Sequence, residues 1–338
     1  MAINEKAYSP KQFSFLIAEQ DDFGTINPDS SGSPDNAWLA VDVDSIGSPS
    51  LNVNQVLDPR NGSRVLQATD FFQDNKGKVI ELSVSGTATT EVLDLLLGNI
   101  TQGDTVPYLL TSAGAVQNMT SSTSNQTANQ ILSICYKTPA SGHAIGLKDC
   151  FCTAISFNGD ANTEGGRIKF SATFKTGSAP ALTQSDIAID TAITANNYYM
   201  SSWDADDRIV AGIANCLVNS FTLNIENDVV FAGITSTGFE SASRVGEVVA
   251  TADFTVKYDD NTDVLFENFH DQVTGASEGA TLMATDTTPS DGEFEFKFES
   301  SVITDVAFSE GDFMGIDVSV KAVGTGIGSS DALFVVSC

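Results

Sequence analysis

Glu81-Leu-Ser-Val-Ser-Gly-Thr-Ala-Thr-Thr-Glu-Val-Leu93 runs from an alternating segment into a helix start. The same features return at Asp253-Phe-Thr-Val-Lys-Tyr-Asp-Asp-Asn-Thr-Asp-Val-Leu265, and the two stretches align without a gap. In each, apolar and polar residues first alternate, which is the strand period. A Thr followed by an acidic residue then opens an apolar stripe, which predicts a capped helix with a favourable charge near its dipole. The expected helices start at Thr90 and Thr262 and run to Ile100 and Gln272. Each is expected to lay its stripe on a sheet, through Val92, Leu93 and Leu96 in the first and Val264, Leu265 and Phe269 in the second.

Working outward, Ser63-Arg64-Val65 matches Ser243-Arg244-Val245 upstream. Downstream, Ala154-Ile-Ser-Phe157 matches Asp305-Val-Ala-Phe308, each followed by a turn and another alternating strand. The order strand, helix, strand pair therefore occurs twice, which is the signature of an internal repeat. The expected division is a first β-domain over 1–182, a connector over 183–211 and a second β-domain over 212–338. A Ser/Thr/Asn-rich stretch over 111–129 reads as a long loop of the first domain.

Alternation dominates elsewhere too. Phe221, Leu223 and Ile225 alternate with polar residues, as do Ile168, Phe170, Ala172 and Phe174. Phe294, Phe296 and Phe298 follow the same rule, as do Ile316, Val318, Val320 and Ala322. One apolar and one polar face per strand predicts antiparallel sheets with one side in a core. The expected fold is all-β with short helices: two tandem β-sandwich or barrel domains, each flanked by one helix.

The 338 residues carry 44 acids against 16 Lys and Arg, a net charge of −28. Gripping a nucleic-acid backbone needs clustered cations, so that class is disfavoured. Docking on an anionic membrane surface is disfavoured for the same reason. No apolar run approaches the roughly 20 residues of a membrane-spanning helix. The start, Met1-Ala-Ile-Asn-Glu-Lys6, lacks the pattern of a signal peptide, so the expected compartment is a cytoplasm. Five cysteines, an odd number in a long chain, fit reduced thiols better than a disulfide framework.

Residues that could carry chemistry do not converge. His143 lies in a Gly-containing loop and His270 at a helix end. Gly275-Ala-Ser-Glu-Gly279 matches a nucleophile elbow, but it follows a helix and no histidine comes after Ser277. Cys150 and Cys152 share a strand face, yet two further zinc ligands at metal spacing are missing. Asp259-Asp-Asn-Thr-Asp263 begins like a calcium loop, but Val264 stands at its glycine position and His270 at its terminal glutamate. Asp204-Ala-Asp-Asp207 lacks the glycine as well, and turn or capping roles are expected for both. Gly324-Thr-Gly-Ile-Gly328 precedes a strand instead of a phosphate-binding helix. No catalytic, cofactor-binding or metal-ligating residue is assigned, and no enzyme is expected.

Cys216-Leu-Val-Asn-Ser-Phe-Thr-Leu-Asn-Ile-Glu226 and Val229-Val-Phe-Ala-Gly-Ile-Thr-Ser236 resemble the opening strands of the two-domain tail tube proteins (major tail proteins) of long-tailed bacteriophages. Ser243-Arg-Val245, Ala252-Asp-Phe-Thr-Val-Lys-Tyr258 and the helix from Thr262 resemble the next unit of that family. The patterns are loose, and the resemblance extends over nearly the whole chain. It implies β-domains whose strands join around a lumen, in rings stacked into a tube. One-domain members form rings of six chains, so a duplicated chain implies trimeric, pseudo-hexameric rings. The implied partners are further copies of the chain, the tail terminator, tape measure and baseplate or distal tail proteins. Genomic DNA would pass through the lumen without specific binding, and no membrane is involved. The implied location is the virion tail, with the host cytoplasm before assembly. A different reading of the same acidity and Ser/Thr/Asn content is a bacterial surface or adhesin β-protein, which would carry an export signal. A lyase or hydrolase on a β-scaffold would need convergent acids or histidines.

Overall fold

The computed structural model describes residues 9, 12–20, 23–24, 26, 38–47, 50–51, 54–57, 65–66, 70–74, 79–102, 108–111, 118–120, 131–139, 144–160, 162–163, 166–181, 189–190, 199–203, 209–235, 238–244, 247–271, 280–286, 293–298, 300–311, 314–324 and 332–337. The chain is mostly β, with a large antiparallel sheet and, among the described residues, two helices. The first half contains β1 (Ser14–Glu19), β2 (Trp38–Val41), β3 (Val43–Ile46), β4 (Ser50–Leu51), β5 (Asn54–Leu57), β6 (Phe71–Asp74), β7 (Ile80–Thr87) and α1 (Thr90–Thr101). There follow β8 (Tyr108–Thr111), β9 (Asn118–Thr120), β10 (Leu132–Lys137), β11 (Ala144–Asp160) and β12 (Lys169–Thr176). β13 (Ile189–Asp190), β14 (Tyr199–Trp203) and β15 (Ile209–Val210) fall within the stretch expected to be a connector. The second half holds β16 (Val218–Glu226), β17 (Val230–Ile234), β18 (Phe239–Ser243), β19 (Val249–Lys257) and α2 (Val264–His270). It ends with β20 (Ala280–Asp286), β21 (Glu293–Phe298), β22 (Ser301–Glu310), β23 (Met314–Ala322) and β24 (Ala332–Ser337).

One unit is built twice. In the first half β3 and β4 pair with β7, β7 with β12, and β12 with β11. In the second half β16 pairs with β19, β19 with β23, and β23 with β22. Every one of these ladders is antiparallel. Each unit inserts a hairpin, β5–β6 or β17–β18, between its first two strands, and a helix after the second. The closing hairpins are irregular at matching places. The register shifts between Cys152 and Ala154 in one and between Ile303 and Asp305 in the other. The sequence match of Ala154 with Asp305 superposes these two bulges. Bulges are placed features of a sheet, so their agreement supports duplication.

The ladders also refine the alignment. Counted from the bulges, Leu82 corresponds to Ala252, two positions from the Phe254 that the ungapped alignment assigns to it. A shift of two keeps every side chain on its own face. Val65 lies between β5 and β6, whereas Arg244 directly follows β18. The match of Ser63–Val65 with Ser243–Val245 therefore joins positions that are not equivalent in the topology.

The two units are not separated by the connector. β11 pairs with β16, Phe157 opposite Leu223, so the units form one run of strands, β3/β4-β7-β12-β11-β16-β19-β23-β22. The expected alternation buries Leu82, Phe170, Phe157, Leu223, Phe254 and Val318, and breaks on β22, where Phe308 is exposed. A second sheet, β14-β20-β21-β24-β8, packs on this face through Phe296, which lies 5.7 Å from Phe221 and stacks on Phe254 at 6.2 Å. The main core cluster reaches from Phe15 to Ala322, and two smaller clusters lie around Phe151 and Trp38. Among the described residues the sheets do not close into a barrel.

β11 serves two sheets because it bends at Asp149, where φ is +53°. The buried Asp149 carboxylate accepts hydrogen bonds from Gln20 Nε2 (2.6 Å), Gly24 N–H (2.6 Å) and the Ser178 hydroxyl. Asp is among the few non-glycine residues that tolerate this backbone region.

The helices differ from expectation in their caps. Thr90 is the first helical residue of α1, with Thr89 at the cap position and no side-chain cap bond. α2 starts at Val264, not at Thr262, because Thr262 is used in the preceding turn. Its hydroxyl donates to the Lys257 carbonyl at 3.1 Å and its N–H bonds Asp259. The stripe of α1 is buried as expected, and Leu97 and Ile100 extend it. In α2 only Leu265 is buried; Val264 and Phe269 are exposed.

Candidate functional site: the junction and the open edges

The junction between the units is built around the end of α1. The last carbonyls of a helix lack partners within it. Here Thr101 Oγ1 donates to Leu97 O (2.7 Å) and Gln102 N–H to Gly98 O. Two more are served from the second unit, one of them shared with Gln102 Nε2, which donates to Asn99 O at 2.5 Å. Asn227 Nδ2 donates to Ile100 O at 2.8 Å, and Arg244 Nη2 donates to Asn99 O at 3.0 Å. Arg244 also donates to Cys152 O (2.9 Å) and to Asn227 O, and its guanidinium lies 5.7 Å from the Phe151 ring centre. Arg244 is buried, and desolvation lowers its pKa to about 10. The hairpin β17–β18 leans on the first unit beside it. Phe231 packs on Phe151 at 6.1 Å, and Ser178 bridges to Gly238. Gly177 is required there, since a Cβ would come within 2.6 Å of the Phe239 ring and 2.7 Å of the Phe231 ring.

Two strand edges remain at the ends of the eight-strand run. Among the described residues, β22 pairs only with β23, and β3 and β4 pair only with β7. β22 is the counterpart of β11, and β3/β4 are the counterpart of β16. The two open edges are thus the two kinds of edge that meet at the junction. An open edge presents unpaired N–H and C=O groups, which natural proteins cover or block. Phe308 on β22 is exposed and contacts Phe266 of α2 (4.5 Å) and Tyr258 (5.7 Å).

The polar face of the run is rich in Ser, Thr and Asn: Ser83, Ser171, Thr173, Ser156, Asn158, Thr222, Asn224 and Thr251. Three of its lysines have acidic neighbours. Lys169 lies 2.8 Å from Asp44, Lys175 2.8 Å from Asp228, and Lys321 3.4 Å from Glu247.

The residues weighed for chemistry stay apart. His270 is exposed at the end of α2, with Nδ1 2.9 Å from Asp271 Oδ1. Cys135, Cys150, Cys152 and Cys216 are buried free thiols. Burial pushes Cys135 and Cys152 up to about 12 and Cys150 well above its ordinary value, which makes them poor nucleophiles. Asp259 caps the turn before α2, accepting from Asn261 N–H at 3.0 Å and Thr262 N–H at 3.1 Å. His143, Gly275–Gly279, Asp204–Asp207, Arg64 and Cys338 lie outside the described residues. Of the 111–129 loop, 118–120 forms β9 and pairs with β18; the other described position is Thr111, which ends β8. Among the described residues no three His, Cys, Asp or Glu side chains cluster as metal ligands, and no helix is long and apolar enough to cross a membrane. Sequence reasoning missed Arg244 and Asn227 as junction residues, since neither has a local signal. The chain matches no protein-family model and no curated protein.

Proposed function

We propose that this chain is a structural subunit that polymerises into stacked rings, the tail tube of a long-tailed bacteriophage, and that the tube conducts DNA during ejection. One observation carries the reading. Two copies of one four-stranded unit are joined edge to edge, and the outer edges left over are the same complementary pair. A contact of this head-to-tail kind closes into a ring or runs on as a filament. With two units per chain, three chains supply six nearly equivalent positions, and the edges disappear on closure. In this reading each unit is a tube-like β-domain flanked by one helix, and the lumen lies inside the ring.

The polar face of the run suits such a lumen. Small hydroxyl and amide groups, acids such as Asp253 and Asp305, and three lysines paired with acids leave no basic track to trap phosphates. No catalytic group is needed, and the buried, inert thiols agree with that. The partners are further copies of the chain, with the tail terminator, tape measure and baseplate or distal tail proteins at the ends of the tube. The protein would reside in the virion tail after passing through the host cytoplasm.

Cryo-electron microscopy of the purified, concentrated chain tests this directly. The expected result is tubes of threefold rings with pseudo-sixfold density. A monodisperse monomer at high concentration, or strict sixfold rings of whole chains, would contradict it.

A further inference from the structure

We propose that β22 of one copy pairs antiparallel with β3 and β4 of a second copy in the register of the β11–β16 ladder, which sets Val306 opposite Leu51 and Ala307 opposite Ser50. The proposal rests on the head-to-tail reading above and adds to it the residue register of the seam between copies.

Both open edges are built like the two strands that meet inside the chain. The ladder of β3 on β7 shifts register between Val43 and Ser45, and the ladder of β16 on β19 shifts between Val218 and Ser220. The same residue types therefore flank the same irregularity in both units. β22 repeats β11 at its own bulge. Thr153 Oγ1 donates to Thr173 O at 3.2 Å, and Thr304 Oγ1 donates to Ser319 O at 3.1 Å. Thr153 O in turn accepts the N–H of Asn227, directly after β16, at 3.0 Å. Bulges are placed features of a sheet, so their agreement on both edges makes the edges a matched pair. The edges lie at opposite ends of the eight-strand run, about 33 Å apart along the sheet at the usual strand spacing. No described ladder joins them, so they meet between copies.

The ladders fix the register. Counted from the bulges, Val306 corresponds to Ile155 and Ala307 to Ser156. Counted through β7 and β19, Leu51 corresponds to Ile225 and Ser50 to Asn224. Within the chain Ile155 faces Ile225 and Ser156 faces Asn224. The transferred pairs keep this character, with an apolar pair followed by a pair of small residues. A slip of one residue would bring Leu51 opposite Asp305 or Ala307 and mix the two faces.

The seam also differs from the junction. Between Ile46 and Ser50 the edge strand has three residues where β7 has two, Leu82 and Ser83. β16 has no such extra residue, since Phe221 to Asn224 pairs evenly with Phe254 to Thr251. The extra residue falls opposite Phe308, the counterpart of Phe157. The ladder between copies is therefore interrupted where the one within the chain runs on. Pro49, one of the three residues, is of the type that sheets admit at edges and bulges.

The register is tested with cysteine variants in a Cys338→Ser background. Mixed under oxidising conditions, Ser50→Cys and Ala307→Cys chains should form a covalent dimer, since facing residues of an antiparallel ladder lie within disulfide reach. Ser45→Cys with Ala307→Cys, which is out of register, should form about tenfold less. One chain carrying both Ser50→Cys and Ala307→Cys should give covalent products that stop at three chains, and products running past three would overturn the ring. Chains that associate but cross-link equally in both mixtures would overturn the register and leave the tube reading standing. Wild-type chains that do not associate at any concentration would overturn both.

Discussion

Arg244 sits in the junction with its charge surrounded by carbonyl oxygens and an aromatic ring. Hydrogen bonds to a charged donor contribute about 1.5–3 kcal/mol each. Burying the charge offsets part of that. Arg244→Met, which takes the guanidinium donor from the Cys152 and Asn227 carbonyls and leaves Asn99 O to Gln102 Nε2, should lower stability by roughly 3 kcal/mol in urea denaturation. Arg244→Lys should not restore it, because an ammonium cannot span the fork. The buried thiols give a pH dependence. Desolvation raises Cys135 and Cys152 to about 12, from an ordinary 9.0, and Tyr136 to about 12 from 10.0. Each is an acid whose folded pKa lies above its unfolded one. Their stabilising contribution is complete below about pH 9 and is lost as pH climbs towards 12. Arg244, lowered to about 10 by burial, acts in the opposite sense over part of the same range, one group against several. The denaturation midpoint should therefore fall above pH 9, and Cys152→Ala should flatten the fall. A midpoint constant from pH 8 to 11 would refute this.

At the scale of elements, the two helices share one sequence pattern and have different surroundings. Leu96 in α1 and Leu265 in α2 are both fully buried. Their replacement by Ala should cost about 2–5 kcal/mol each, as for other buried leucines. Val264→Ala, on the exposed side of α2, should change the stability of the dilute chain by less than about 0.5 kcal/mol. The same substitution should weaken assembly if that side is covered by a second copy. Chemical denaturation and sedimentation of the three variants separate these outcomes. Equal costs for Val264 and Leu265 would show that α2 is covered within the chain.

For the whole molecule, the distribution of charge decides how a tube would treat DNA. The polar face of the strand run has lysines paired to acids, and its uncharged residues are mostly hydroxyls and amides. Wall charge is felt within about 8 Å at physiological salt. A face without a net basic stripe gives a smooth potential along the axis. Assembled protein should fail to retain duplex DNA in a pull-down even at low salt. Salt-sensitive retention would mean that a cationic track exists elsewhere in the assembly.

The strand faces and the rough helix positions were legible in Glu81–Leu93 and Asp253–Leu265, because the apolar period is local, whereas the expected caps at Thr90 and Thr262 did not form. Alternation alone assigned Phe170, Leu223 and Val318 to the core. The ladder between β11 and β16, the bend at Asp149 and the clustering of Arg244 with Asn99, Asn227 and Cys152 were decided only by the tertiary structure. Apart from Arg244 with Asn227, 17 positions apart, these contacts join residues roughly 50 to 150 positions apart, and no local signal records which carbonyl a distant guanidinium will find. The exposure of Phe269 and Phe308 is of the same kind. Their spacing marks them as core residues, and only the fold shows that both stay exposed, Phe308 against Phe266 and Tyr258.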